Sequence, residues 1–149
     1  MCIVCHKSGL GPLLTYLHSA FFNNITYTAP KIPSLYTALT AGELATEAAV
    51  YGEYTHPFVL ERNQVVELVV NNLDSGKHPF HLHGHNFQAV WRSGDEAGTF
   101  QGSNVTPAEF SATPMRRDTI VLFPEGNIVL RFKADNPGTS NTHPSYGCC

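Results

Sequence analysis

The run Ile128-Val129-Leu130-Arg131-Phe132-Lys133-Ala134 puts Ile128, Leu130, Phe132 and Ala134 on one side of an extended chain and Arg131 and Lys133 on the other. A period of two marks a strand with one face buried, because successive side chains of a pleated strand point to opposite faces. Ile120-Val121-Leu122-Phe123 precedes it across the turn formers Pro124-Glu125-Gly126-Asn127. Further back, Phe58-Val59-Leu60 and Val65-Val66-Glu67-Leu68-Val69-Val70, parted by Arg62-Asn63-Gln64, read as two strands rich in β-branched residues. Phe87 to Trp91 reads as another. Half-buried antiparallel strands must cover their apolar faces against one another, so the expected fold is all-β, a sandwich with Greek-key connections. Phe87, Trp91 and Phe123 are expected in its core.

Between Ile25 and Thr40, Pro30 and Pro33 interrupt Tyr, Ile and Leu residues, which predicts an extended surface segment. Thr40-Ala41-Gly42-Glu43 has the spacing of a capping box, and Leu44 to Ala49 is rich in Ala and Glu, so one short helix of roughly two turns is expected there, ended by Gly52. Ser93 to Pro114 carries Gly, Ser, Thr and Pro without periodicity and reads as a long rim loop. No internal repeat is visible.

At 149 residues the chain suits one domain and can bury a real core without staples. Its charged fraction of 14% is below the roughly 25% usual for soluble domains, in keeping with a turn-rich β protein. The net charge is −3 and the longest basic run is Arg116-Arg117, so no nucleic-acid footprint is visible. Arg116-Arg117-Asp118 reads instead as a local ion-pair network. No apolar stretch nears the roughly 20 residues that cross a bilayer, and Leu13 to Phe22 is too interrupted for a signal-peptide core.

The four cysteines lie only at the ends, as Cys2, Cys5, Cys148 and Cys149, so no interior disulfide framework exists. Cys2-Ile3-Val4-Cys5-His6 fits the haem-attachment pattern and the terminal Cys-Cys suggests lipidation, but each lacks the surrounding signals and reads as coincidence.

The chemistry is concentrated in His78-Pro79-Phe80-His81-Leu82-His83-Gly84-His85, which holds four of the eight histidines. On a strand, His81, His83 and His85 would project to one side at intervals of about 7 Å, with His78 of opposite parity. Imidazole suits copper, zinc, iron and nickel, and such density is hard to explain by packing. Two metals could then be served from one strand.

HPFHLHGH, preceded by NNLDSGK, resembles the histidine motif in the C-terminal cupredoxin domain of multicopper oxidases. The stretches FNNITY, LYTAL, AGEL, PMRRDT and LRFKADNPG are similar to fungal iron-uptake ferroxidases and their laccase relatives. The resemblance implies a cupredoxin-like sandwich with copper as cofactor. It also implies electron transfer from Fe(II) or a phenolic reductant to dioxygen, giving water. By it, His78 would ligate type 1 copper, His81 type 2 copper and His83 a type 3 copper, with His85 in a supporting role. Asp74 would receive substrate iron, since iron-oxidising relatives carry an acid just ahead of the motif and a hard carboxylate favours iron. Turn chemistry alone would also select Asp at that position. An extracellular or cell-surface location and an iron permease partner are further implications. The sequons Asn24-Ile25-Thr26 and Asn104-Val105-Thr106 agree with export.

The resemblance divides the chain into an unmatched segment 1–21, a partial cupredoxin domain 22–138 and an unmatched tail 139–149. The family's His-Cys-His segment, which brings the type 1 thiolate on a closing strand, does not follow Gly138, where the chain reads Thr139-Ser140-Asn141-Thr142-His143-Pro144-Ser145. The expected sandwich is therefore incomplete, with its closing strand missing, and the isolated chain is expected to be inactive as an oxidase. The alternatives are a non-enzymatic copper-binding fragment or nonfunctional gene model, and a mononuclear His site of the cupin kind.

Overall fold

Val66, Leu68 and Val70, alternate residues of one strand, are buried at 6%, 0% and 0% exposure, and they set the plane on which the rest of the domain packs. The computed structural model describes residues 2–8, 19–139 and 142–144, with residues 2–8, 19–21 and 142–144 described by their backbone alone. The strands are β1 (Cys2–Ser8), β2 (Ser19–Phe22), β3 (Ile25–Thr26), β4 (Val65–Asn72), β5 (His78–Leu82), β6 (Phe87–Arg92), β7 (Met115–Arg117), β8 (Thr119–Leu122), β9 (Asn127–Lys133) and β10 (Thr142–Pro144). One sheet has the order β3-β2-β1-β4-β9-β6-β7 and the other β10-β5-β8. Their facing sides share one core of Val66, Leu68 and Val70 from β4, Phe80 and Leu82 from β5, Phe87 from β6, Ile120 and Leu122 from β8, and Ile128, Leu130 and Phe132 from β9. This is the expected all-β sandwich.

The alternation read in Ile128 to Lys133 is realised in β9, which pairs antiparallel with β4 on one side and β6 on the other. Val129 is buried as well, because β9 is an interior strand of the larger sheet. Glu67 and Arg131 sit opposite each other across β4 and β9 and form an exposed ion pair at 2.8 Å. The turn at Pro124-Glu125-Gly126 does not close a hairpin: it carries the chain from β8 in the small sheet to β9 in the large one. A Cβ at Gly126 would lie 2.8 Å from Ser93 Oγ and 2.9 Å from the Gly94 carbonyl, which is why glycine stands at this corner.

Several local expectations are corrected. The α-helix lies earlier than expected, as α1 (Ser34–Thr40), within the stretch read as extended. Pro33 presets the backbone just ahead of it and Gly42, at φ +59°, stops it. Thr40 does not cap a following helix, since its hydroxyl donates back to the Tyr36 carbonyl at 2.7 Å. Leu44 to Ala49 forms two 3-10 turns, Gly42–Thr46 and Ala48–Tyr51, because Glu47 between them is extended. Phe58, Val59 and Leu60 are not a strand and are 45%, 46% and 36% exposed. Trp91 and Phe123 are only half-buried. Trp91 Nε1–H donates to Asn127 Oδ1 at 2.9 Å, and the Phe123 ring is flanked by the cations of Lys77 and Arg92.

The backbone of β1 pairs parallel with β4 and antiparallel with β2, so residues 2–8 extend the large sheet. The backbone of β10 adds to the free edge of β5, with His143 opposite His81. Cys148 and Cys149 lie outside the described residues, as do the side chains of Cys2, Cys5 and His6.

Leu130→Ala, at a position with no exposure between two neighbouring strands, is expected to cost about 2–5 kcal/mol. Urea denaturation should show this as a lower midpoint with an unchanged slope.

Candidate metal centre

β5 is short, and its burial alternates. Phe80 and Leu82 enter the core while His81 turns away from it. Its register on β8 pairs His78 with Leu122, Phe80 with Ile120 and His81 with Thr119, which fixes the height of both histidines in the sheet.

The His81 ring is held by the strand beside it. Nδ1 lies 2.9 Å from the Asp118 carbonyl and 2.9 Å from Thr119 Oγ1. The Thr119 hydroxyl donates its own proton to Asp118 Oδ1 at 3.0 Å. Both of these neighbours therefore accept, so Nδ1 carries the proton and Nε2 carries the lone pair. Asp118 contributes through its carbonyl and its carboxylate, and the ion-pair network expected of Arg116-Arg117-Asp118 does not form among the described residues, where both arginines are exposed.

The strand ends at Leu82, so the row of evenly spaced histidines expected from period two is broken. His83 and Gly84 make a turn, with Gly84 at φ +74°. The turn brings the His83 ring to 4.6 Å from the His81 ring, edge to face. His85 leaves the group and packs its ring 5.3 Å from Phe132. His85 Nδ1–H donates to the His83 carbonyl at 3.3 Å, while its Nε2 is buried without a partner among the described residues. His85 lines an apolar cavity of about 630 Å³, together with Phe22, Tyr51, His56, Phe58 and Phe132. Asn136 Nδ2–H donates to the Gly84 carbonyl at 3.0 Å and clamps the turn from outside.

His78 sits at the other end of β5, with its side chain 22% exposed. Its Nε2–H donates to Asp74 Oδ2 at 2.6 Å, and Asp74 is 13% exposed. Asp74 Oδ1 also accepts from the Gly76 N–H at 3.2 Å. The carboxylate thus shapes its turn and contacts the first histidine at once.

The sequence pattern of the multicopper oxidases matches residues 27–146. The chain belongs to the multicopper oxidase family. It is 66% identical over 119 residues to the iron transport multicopper oxidase FET3 of Gibberella zeae, an alignment covering 80% of this chain and 19% of that protein. With the Saccharomyces cerevisiae iron transport multicopper oxidase FET3 it is 52% identical over 126 residues, 80% of this chain and 20% of the relative. The crystal structure of Fet3p, a multicopper oxidase that functions in iron import, superposes with a TM-score of 0.87 at 43% identity, covering 97% of this chain and 28% of that one. A laccase from Botrytis aclada matches with a TM-score of 0.64 at 23% identity and speaks to the fold alone. The chain spans about a fifth of the length of the curated relatives it matches.

Copper is the cofactor of this family, and the donors present suit it. Imidazole nitrogen is a copper ligand, and both His78 and His81 have one ring nitrogen committed to an oxygen acceptor, which leaves the other with the lone pair. Among the described residues no three His, Cys, Asp or Glu side chains gather into one metal-binding group. The described residues instead bring donor groups together in two pairs, His81 with His83 and His78 with Asp74. Sequence reasoning missed Asn72, Asn136 and the Asp118-Thr119 acceptors. The dense Asn-Asn turn before the motif was the available signal for the first of these, while the others are contacts distant in sequence.

Thr119→Val removes one acceptor from His81 Nδ1 and is expected to weaken copper binding at His81 by about tenfold. Isothermal titration with copper, alongside ring-nitrogen NMR of His81 in the metal-free chain, checks both the affinity and the tautomer.

Proposed function

We propose that this chain is the copper-binding C-terminal cupredoxin part of an iron-oxidising multicopper oxidase. In this reading His78 is a ligand of type 1 copper, His81 of type 2 copper and His83 of a type 3 copper, and Asp74 receives Fe(II) as substrate. The observation that carries it is the 2.6 Å hydrogen bond between Asp74 Oδ2 and His78 Nε2. A hard carboxylate suited to iron is there bonded directly to the imidazole that would ligate copper, so the contact is also a short path for an electron. Copper, when bound, supplies one-electron redox chemistry between the reductant and dioxygen. The iron-transport names of the relatives favour Fe(II) over a phenol as the reductant. A turn-only role for Asp74 is favoured by its bond from the Gly76 N–H, but that bond uses the other carboxylate oxygen.

An exported location and an iron permease as partner belong to the same proposal. The exposure of Asn24 and Asn104, each in a glycosylation sequon, supports export. No helix among the described residues is long and apolar enough to cross a membrane.

The domain division 1–21, 22–138 and 139–149 and the inactivity of the isolated chain are part of this reading. Leu35, Tyr36, Leu39 and Leu44 are 50%, 62%, 73% and 59% exposed, an apolar face that the much longer relatives have the additional chain to cover. Among the described residues no group of three donors forms, which agrees with the expected inactivity.

Two measurements test this. Copper loading is expected to give binding without intense blue colour and without oxygen uptake on addition of Fe(II); intense blue colour overturns the inactivity. Single substitutions His81→Ala and His83→Ala are each expected to lower the copper bound around the His81–His83 pair, and His78→Ala to leave that copper in place. Loss of one common metal in all three variants would instead favour the mononuclear alternative.

A further inference from the structure

Asn72 is 1% exposed at the end of β4, one of four buried polar or charged residues among those described. Its amide group is fully engaged around the loop that follows. Nδ2 donates to the Gly76 carbonyl at 2.8 Å and to the Phe123 carbonyl at 2.9 Å, while Oδ1 accepts from the Asp74 N–H at 3.0 Å. Its backbone N–H donates to the Gly126 carbonyl at 2.8 Å, and the Glu125 N–H donates to the Asp74 carbonyl at 3.0 Å. Asp74 is thereby held from both sides of its own peptide units, with only its side chain left to orient. At Gly76 a Cβ would lie 3.3 Å from Asp74 Oδ2 and 3.4 Å from His78 Nε2, against the two atoms of their hydrogen bond. Such an approach is tight enough that the carboxylate or the ring must give way.

We propose that Asn72 and Gly76 are positioning residues that hold Asp74 onto His78 Nε2 and so commit His78 Nδ1 to bind metal. This rests on the reading of His78 as a copper ligand. Asn72 acts by pairing with the Gly76 and Phe123 carbonyls and the Asp74 N–H, and Gly76 acts by leaving the space in which carboxylate and imidazole meet. Neither touches the metal. A neutral imidazole has one donor and one acceptor nitrogen, so whatever holds the proton on Nε2 leaves Nδ1 as the ligand.

The test uses the full chain, first without metal. Ring-nitrogen NMR of His78 is expected to show a protonated Nε2 with a downfield proton shared with Asp74. Gly76→Ala, at a position of ordinary backbone conformation, and Asn72→Ala are each expected to lose that resonance and to mix the two tautomers. Titrated with copper(II) alone, each is expected to bind about tenfold to a hundredfold more weakly at His78. If the variants fold, as judged from dispersed amide spectra, and keep the shared proton unchanged, the positioning role is overturned; Gly76→Ala decides this alone should Asn72→Ala not fold. If the tautomer shifts as expected but copper(II) leaves the His78 resonances of the unsubstituted chain undisturbed, the positioning stands and the ligand reading falls.

Discussion

The placement of Phe80 and Leu82 in the core is the constraint on which the histidine motif depends. They are 3% exposed each, packed among Leu68, Ile120, Leu122 and Leu130 where the two sheets meet. A slip of one residue in β5 would send both to solvent and turn His78 and His81 to the opposite faces. Burying them stabilises the strand by about 1.5–3 kcal/mol each, so the register resists the local preferences of His78, Pro79 and His81. The histidines of β5 are thus positioned by apolar residues that carry none of the motif's chemistry.

Asparagine does for the loops what the apolar residues do for the strands. Asn71, Asn72 and Asn127 are each 1% exposed, and each links a strand end to a loop. Asn71 accepts from the Phe100 N–H at 2.7 Å and donates to Gln101 Oε1 at 2.9 Å. Asn127 accepts from Trp91 Nε1–H and donates to the Gly98 carbonyl at 2.9 Å, while its N–H donates to Ser93 Oγ at 2.8 Å. Buried amides are tolerated only when their hydrogen bonds are made, and here all the partners but Trp91 of β6 belong to loops. The long stretch from Ser93 is ordered near the sheet by such bonds, and this gives a physical meaning to a composition low in charge and rich in small polar residues.

What was legible in the sequence followed from period. The alternation in β9, the β-branched run of β4 and the turn formers beside them located the two central strands of the large sheet. The helix was misplaced because capping spacing at Thr40 and Glu43 is a local cue, whereas Pro33 and Gly42 bound the segment that coils. Trp91 and Phe123 were misread because they serve polar partners, the indole N–H the Asn127 amide and the Phe123 ring two cations. The histidine motif was legible as a motif, and the resemblance implied roles within it. Its geometry was not, because the strand stops at Leu82 and the acceptors of His81 come from Asp118 and Thr119, where the chain enters another strand.

Asp74 poses the sharpest choice in the sequence, between a turn residue and an iron ligand, and the geometry removes the opposition. A carboxylate has two oxygens, and here Oδ1 meets the Gly76 N–H while Oδ2 meets His78. The first bond orders the turn, and an ordered turn is the condition for the second, because a carboxylate free to rotate would seldom lie 2.6 Å from one ring nitrogen. Turn chemistry selects Asp at this position for the shape of the backbone, and that same shape makes the carboxylate useful to the histidine.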